Sequence, residues 1–154
     1  MKIRADEHVA EAIVRAVQEI ALSPGWELSH VISSGYKGST DEHWATQFAK
    51  EGGNAILSAD TDFFRRHHQI IAICDTGLKI IHLPSKWATA RGDLQAAHIL
   101  LWWRRVEAKI SIMTSRQCYC PPWNITESGD LKQVKVNYEE ARKKERKYKR
   151  RTGR

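Results

Sequence analysis

The chain has 154 residues, enough for one domain with its own hydrophobic core, so no disulfide framework is needed for folding. Hydrophobic residues make up 42%, and no stretch approaches the roughly 20 apolar residues of a membrane span, so we expect no membrane partner. The start, MKIRADEH, is charged where a secretory signal is apolar, and the three cysteines lack a framework spacing. Both features predict a cytoplasmic protein.

Short apolar runs alternate with helical patterns through the first half of the chain. The predicted elements are a strand at 1–5, a helix through 7–22, a strand at 28–32, a Gly- and Ser-rich loop at 33–39, a helix at 41–53 and a strand at 54–57. Thr40 is a good cap for the second helix. Such alternation predicts parallel strands joined by right-handed crossovers, and therefore an α/β protein with an open sheet flanked by helices.

The second half continues this pattern with less regularity. It predicts a short helical segment at 63–68, a strand at 78–83, a long helix at 92–108, and two further extended pieces at 110–113 and 134–138. We expect one domain at 1–141, followed by a basic C-terminal tail at 142–154.

The tail carries most of the positive charge of the chain. Residues 142–154 hold nine Lys or Arg and one Glu, a net charge of +8 against +7 for the whole chain, which leaves −1 for the remainder. Such a block is either a solvated or disordered tail or a site for a polyanion. Because nothing in the body balances it, nucleic acid is the favoured partner. The candidate nucleic-acid-binding residues are Arg142, Lys143, Lys144, Arg146, Lys147, Lys149, Arg150 and Arg151.

Acidic residues follow the predicted strands where each strand ends. Asp6 follows the first strand and Asp60 the third, and the carboxyl ends of parallel strands lie at one edge of a sheet. Asp41 and Glu42 open a helix that begins at this same edge. Each carboxylate alone is more simply explained as a helix-start or turn residue. Together, however, they predict a single acidic site.

A cluster of like charges needs a cation to stay ionised, and carboxylate oxygens suit Mg²⁺ or Mn²⁺. The candidate metal ligands are Asp6, Glu7, Asp41, Glu42 and Asp60, and the candidate catalytic residues are Asp6, Asp41, Asp60 and Asp62. A metal ion held in this way can activate water and neutralise charge on a phosphodiester as it is attacked.

Three stretches of the sequence resemble the PIN-like domains, and specifically the compact VapC-like toxin ribonucleases. They are IRADEHV at the end of the first strand, STDEHWA at the start of the second helix, and SADTDF after the third strand. The resemblance covers residues 1 to about 85.

This resemblance implies a PIN-like open sheet and metal-dependent cleavage of RNA by the toxin of a toxin–antitoxin pair, with a cognate antitoxin as partner. Asp6, Asp41 and Asp60 match the acidic positions of the family, and Asp62 matches a second aspartate that is either a ligand or a helix-start residue. Full-length members add a glutamate on a middle helix. This sequence has no clear equivalent, and Glu7 or Glu42 would take its place.

Two other functions are compatible with the same residues. A phosphoreceiver domain also has an acidic pair after its first strand and an aspartate after its third, but it gives Asp41 and Glu42 no role. A non-catalytic RNA-binding regulatory module of the same fold is the other alternative, and the missing middle glutamate favours it.

Three further groups have both a functional and a structural interpretation. The histidines His43, His67 and His68 lie near the predicted site or on a solvated helix face. The apolar run around Trp102 and Trp103 either packs in the core or forms a surface for a homodimer or an antitoxin. Cys118 and Cys120 lack the partners of a zinc site, so we interpret them as half-buried thiols.

Overall fold

The computed structural model describes residues 1–124 and 128–153 and shows a six-stranded sheet with helices on both faces. In chain order the elements are β1 (Lys2–Ala5), α1 (Glu11–Ile20), β2 (Glu27–His30), α2 (Asp41–Lys50), β3 (Ala55–Ser58), a 3₁₀ turn (Phe63–Arg65), α3 (His67–Asp75), β4 (Lys79–His82), α4 (Ser85–Thr89), α5 (Gly92–Ile112), β5 (Cys118–Cys120), β6 (Lys132–Val134) and α6 (Tyr138–Thr152).

The strands lie in the order β2-β1-β3-β4-β5-β6, and all neighbours are parallel except β5 and β6. The chain leaves β1 towards β2 and then crosses to the other side of β1 to form β3. The order therefore reverses between β1 and β3, which creates the crevice where open α/β sheets bind ligands. The predicted α/β fold with mainly parallel strands is confirmed.

Two hydrophobic cores cover the two faces of the sheet. On one face α1 and α5 pack over alternate strand residues such as Ile3 and Leu57. On the other face α2 and α3 pack over Ile56 and Ile80. This alternation follows from the two-residue repeat of a strand, whose successive side chains point to opposite faces.

Helix α3 is longer than the predicted segment at 63–68. The 3₁₀ turn and α3 together extend to Asp75, and α3 buries Ile70, Ile71, Ile73 and Cys74 against two different clusters. Because α3 packs on both α2 and α6, apolar residues occur on more than one face of this helix. A helix buried on two sides has no single-face periodicity, so its pattern predicted only a short element.

The strand predicted at 110–113 is wrong, since these residues belong to the last turn of α5 and its end. Trp103, Val106, Ile110 and Met113 are all buried at helical spacing, so the apolar run continues the buried stripe of α5. The fifth strand is instead β5. The piece predicted at 134–138 is correct only at Val134, which ends β6, because Tyr138 already begins α6.

The basic C-terminal block is helical and docked. Ala141 is buried in a cluster with Ile70, Ile71 and Cys74 of α3. The predicted boundary between residues 141 and 142 falls inside α6, and the last residue of the predicted tail, Arg154, lies outside the described residues.

Helices α3 and α6 run antiparallel. The start of α6 meets the end of α3, where the Tyr138 hydroxyl donates to Asp75, and the later part of α6 meets the start of α3, where Tyr148 lies against His68. Since α3 begins at the carboxyl edge of the sheet, the basic end of α6 points towards that edge.

Trp102 and Trp103 lie in the core, as the structural interpretation of this pair predicts. Both are at most 1% exposed, and their indole N–H groups donate to the Asn124 carbonyl and to Glu107. The segment before and after residues 125–127 covers the second side of α5, with Trp123 and Leu131 in the same core. A helix covered on two sides can bury adjacent tryptophans. Of the helices in the described part of the chain, none is long and apolar enough to cross a membrane.

Candidate functional site

The predicted acidic residues lie on both sides of the crevice between β1 and β3. The register pairs Ala5 with Leu57, and the Asp6 N–H donates to the Leu57 carbonyl over 2.9 Å. The residues that follow each strand are therefore neighbours. Asp6 and Asp60 are 4% and 2% exposed, so two carboxylates are buried at this edge.

Hydrogen bonds hold the Asp6 carboxylate in place. The Ser58 hydroxyl donates to Oδ2, while the backbone N–H groups of His8 and Ala59 donate to Oδ1 over 3.0 and 3.4 Å. Burial nevertheless raises the pKa of Asp6 to about 6, and the nearby charge of Asp41 adds to the increase. The hydrogen bonds only partly offset the loss of water.

Asp60 is held through both its side chain and its backbone. Its Oδ1 accepts from the Asp62 N–H over 2.9 Å, and its Oδ2 lies 3.5 Å from the guanidinium of Arg66 and 3.8 Å from Nε2 of His8. Its carbonyl oxygen lies 2.8 Å from Nε2 of His82. Burial lowers the pKa of His82, so the ring is neutral at pH 7 and can donate this hydrogen bond as its Nε2–H tautomer.

Asp41 lies at the first position of α2, after the predicted cap. Thr40 accepts the His43 N–H over 3.2 Å, which confirms the cap, and the Trp44 indole N–H donates to Oδ1 of Asp41 over 2.9 Å. Burial raises the pKa of Asp41, and the negative charges of Asp60, Glu7 and Glu42 raise it further. Like charges are therefore crowded at this edge, as the sequence predicts.

A cleft of about 220 Å³ opens beside Asp41, and neither Asp6 nor Asp60 is among the residues that line it. Its lining combines acidic residues with a single arginine and polar groups: Glu7, Ser39, Thr40, Asp41, Glu42, Arg66 and Gln69. Glu7 and Glu42, the candidates to replace the middle glutamate, both line this cleft.

Some predicted residues lie apart from the cleft. The Asp62 carboxylate pairs with Arg65 over 3.2 Å at the start of the 3₁₀ turn, as expected of a helix-start residue. His43 lies exposed against the ring of Tyr36, and the rings of His67 and His68 contact each other at a tilt beside α6. The basic candidates lie on α6, which packs against α3, and none of them lines the cleft.

The three cysteines have neutral thiols at pH 7. Burial raises the pKa of Cys74 and of Cys120 to about 11, and it raises the pKa of Cys118 further. All three are free thiols. Cys118 is buried and Cys120 is partly buried on β5, close to the half-buried pair that the sequence predicts.

The carboxylates at the sheet edge fit a hard divalent cation in donor type and in charge. They do not converge on one point, however. Within residues 1–124 and 128–153, no three His, Cys, Asp or Glu side chains are grouped closely enough to hold a metal ion. Each carboxylate contacts a protein group instead. Asp6 contacts the Ser58 hydroxyl, Asp41 the Trp44 indole and Asp60 the Arg66 guanidinium. Binding a metal ion would require side-chain rotations that exchange some of these contacts.

Three side chains that shape this site are not among the residues predicted from the sequence: Ser58, Arg66 and His82. Ser58 bridges Asp6 and Asp60, because it donates to Asp6 and accepts the Asp60 N–H over 3.2 Å. Arg66 faces Asp60, and His82 supports the Asp60 backbone. Ser58 could have been found, since it is a hydroxyl at the end of an apolar strand and directly before the acidic motif. Arg66 and His82 have no such local signal.

Comparison with known proteins supports one family. Residues 1–85 match the family model described as PIN like domain, which is more than half of the chain. The matched region contains β1 to β4 and every acidic residue of the cleft. Searches of curated proteins and of solved structures gave no match. Strand order alone would not separate this fold from a receiver, whose sheet has the same order over its first strands. With the family match and the paired acidic edge, the chain belongs to the PIN-like domain family, whose members are generally nucleases.

Proposed function

We propose that this PIN-like domain is a metal-dependent endoribonuclease whose acidic site consists of Asp6, Asp41 and Asp60. One observation carries the proposal. Two carboxylates are buried at the crevice between β1 and β3, with a third close enough to raise the pKa of Asp6. Burial of like charges costs stability unless a cation compensates it, so the arrangement is better suited to function than to folding.

Asp6, Asp41 and Asp60 would hold Mg²⁺ or Mn²⁺, and Glu7 and Glu42 would add oxygen ligands from the rim of the cleft. When bound, such an ion supplies a Lewis acid that acidifies water and neutralises charge on the phosphodiester.

The neighbouring residues orient these carboxylates. Ser58 fixes the relative position of Asp6 and Asp60, and the indole of Trp44 holds Asp41 at the start of α2. The backbone N–H of Asp62 holds Asp60, which gives Asp62 a positioning role beside its predicted catalytic one. To bind an ion together, the carboxylates would rotate out of some of these contacts.

Helix α6 supports RNA as the substrate. Ion pairs engage Arg142, Lys144 and Lys149, while Lys143, Arg146, Lys147, Arg150 and Arg151 are exposed along the helix. The basic end of α6 points towards the edge of the sheet that carries the acidic cleft. A polyanion bound along α6 would therefore pass near the carboxylates.

Cleavage of RNA by purified protein tests this proposal. We expect cuts in the presence of Mn²⁺ or Mg²⁺ that EDTA abolishes, and a loss of at least about 100-fold in Asp6→Asn, Asp41→Asn and Asp60→Asn. Glu27→Gln is the matched control, because Glu27 is an exposed carboxylate at the opposite end of the sheet. Cutting that persists in all three aspartate variants would contradict the assignment.

A non-catalytic RNA-binding module is the second candidate. The observation in its favour is that the carboxylates of Asp6, Asp41 and Asp60 contact hydrogen-bond donors of the protein rather than one shared point. This module would bind RNA without cutting it. A phosphoreceiver domain would instead take up phosphate on Asp60 from a small phosphodonor. Assays of RNA cleavage, RNA binding and phosphorylation on the same purified proteins therefore distinguish the three functions.

The cellular role that fits this activity is the toxin of a toxin–antitoxin pair. The support is the likeness of the three acidic motifs to those of compact VapC-like ribonucleases. A small DNA-binding protein encoded in the adjacent reading frame, and a stable complex between the two purified proteins, would support a cognate antitoxin. If the protein has no such partner, the endoribonuclease proposal stands and the proposed toxin role is wrong.

A further inference from the structure

Arg66 places a permanent positive charge against the buried carboxylate of Asp60. One guanidinium nitrogen, Nη1, lies 3.5 Å from Oδ2 of Asp60 and 3.4 Å from the side-chain oxygen of Gln69. The side chain of Asp60 is 3% exposed, whereas that of Arg66 is 54% exposed. The arginine therefore reaches the carboxylate from solvent and is free to leave in that direction.

The contact is weak compared with another arginine–carboxylate pair in the same protein. Arg142 binds both oxygens of Asp75 through Nη2 at 2.8 and 2.7 Å. Arg66 uses one nitrogen for two acceptors, and both distances are at the long limit of hydrogen bonding. Because Asp60 is buried, its charge needs a cationic partner, but a second cation in the place of Arg66 would give up only these two long contacts.

Arg66 also lies between two depressions of the surface. It lines the acidic cleft together with Asp41 and Glu42. Its neighbours Arg65 and His67 line a second groove, whose other wall is α6 with Glu140 and Lys144. A strand of RNA that runs from α6 to the carboxylates has to cross the segment 65–67, so its backbone passes Arg66.

We infer that Arg66 is the counter-ion of Asp60 in the metal-free protein and becomes an RNA-phosphate ligand once a divalent cation binds Asp60. A metal ion at Asp60 replaces the charge of Arg66 and repels the guanidinium. The arginine then turns outwards, where a phosphodiester is the anion within its reach. This inference rests on the proposed function, because it uses the same metal site and the same substrate class.

The first test measures metal binding without RNA. Mn²⁺ is titrated into the wild type and into Arg66→Gln, and the melting temperature reports binding by linkage. Loss of a competing cation should lower the Mn²⁺ concentration at half-effect by about threefold to tenfold. Arg65→Gln is the matched control, because Arg65 is 82% exposed and pairs with Asp62 instead. Equal or weaker Mn²⁺ binding by Arg66→Gln would overturn the counter-ion role.

The second test measures RNA affinity in EDTA and in saturating Mn²⁺. For Arg66→Gln we expect RNA affinity equal to that of the wild type in EDTA, and about fivefold to 20-fold weaker in Mn²⁺. Arg66→Lys should recover part of the loss, since it keeps the charge. An equal loss of affinity in both conditions would make Arg66 an ordinary member of the basic surface and overturn the exchange.

These binding measurements do not depend on cleavage. If the wild type binds Mn²⁺ and RNA but does not cut, the endoribonuclease proposal fails while the titrations still decide the role of Arg66. If the wild type cuts and Arg66→Gln matches it in both titrations, the endoribonuclease proposal stands and the inference about Arg66 is wrong.

Discussion

Asp6 shows how a single residue can oppose stability and serve function. Its carboxylate is buried beside Ser58, and its pKa is raised to about 6 from an ordinary value of 3.8. The native fold therefore favours the protonated form. The stabilisation from this preference is complete below about pH 4 and is lost as the pH rises through 6. At pH 7 the ionised side chain opposes folding.

We predict that the stability of Asp6→Asn in EDTA, relative to the wild type, depends on pH. A shift of about two pKa units corresponds to about 3 kcal/mol at most. The free energy of unfolding of the variant, relative to the wild type, should therefore rise by about 2–3 kcal/mol between pH 4 and pH 7. Urea unfolding at several pH values measures this difference, with Glu27→Gln as the control for loss of one negative charge. A difference that does not change with pH would contradict the burial argument.

At the scale of the element, α6 illustrates how a strongly charged helix can dock on a protein. It offers few apolar residues to α3, and Ala141 is the one buried position. Polar contacts add to this small patch. The guanidinium of Arg142 lies over the ring of Tyr138 and binds Asp75, which also accepts the Tyr138 hydroxyl. Arg116 stacks on the same ring.

We predict that Asp75→Asn loosens α6 without unfolding the sheet. The variant loses the charged acceptor of both Arg142 and Tyr138, so hydrogen exchange in 142–152 should accelerate by about fivefold. Asp93→Asn is the control, because it removes an exposed pair with Arg91 that holds no other element. Exchange that accelerates equally in both variants, or throughout the sheet, would contradict a local role.

At the scale of the whole molecule, charge is separated into an acidic edge and a basic helix. Helix α6 carries exposed Lys and Arg side chains, whereas Glu7, Asp41 and Glu42 line the cleft beside Arg66. An arrangement of this kind attracts a polyanion through one surface and leaves the other for a metal ion and chemistry. Binding and cleavage should then be separable by mutation.

We predict that neutralising the end of α6 weakens RNA binding in a salt-dependent way. In the triple variant Lys147→Gln, Arg150→Gln and Arg151→Gln, three fewer phosphates are neutralised. The slope of log K against log salt should therefore become shallower by about 2 for single-stranded RNA. The matched control removes three exposed charges from other helices: Arg15→Gln, Lys86→Gln and Arg104→Gln. Equal slopes for the two triple variants would assign α6 to another partner.

The alternation of strands and helices could be predicted because it depends on local periodicity. The strand ends follow from the same pattern. Because parallel strands bring their carboxyl ends to one edge, Asp6, Asp41 and Asp60 could be placed at that edge from the residues alone, although not their side-chain directions. The capping role of Thr40 is equally local. Elements buried on one side were predicted well, because only one face of such an element is apolar.

Other features depend on contacts between residues far apart in the chain, and no local pattern encodes them. The short form predicted for α3 and the strand predicted at 110–113 were wrong because α6 and the segments on both sides of residues 125–127 cover second faces of α3 and α5. The supporting contact of His82 with Asp60 and the docking of α6 on α3 likewise exist only in the folded chain. Burial decides the pKa of Asp6, and burial is a property of the packed molecule.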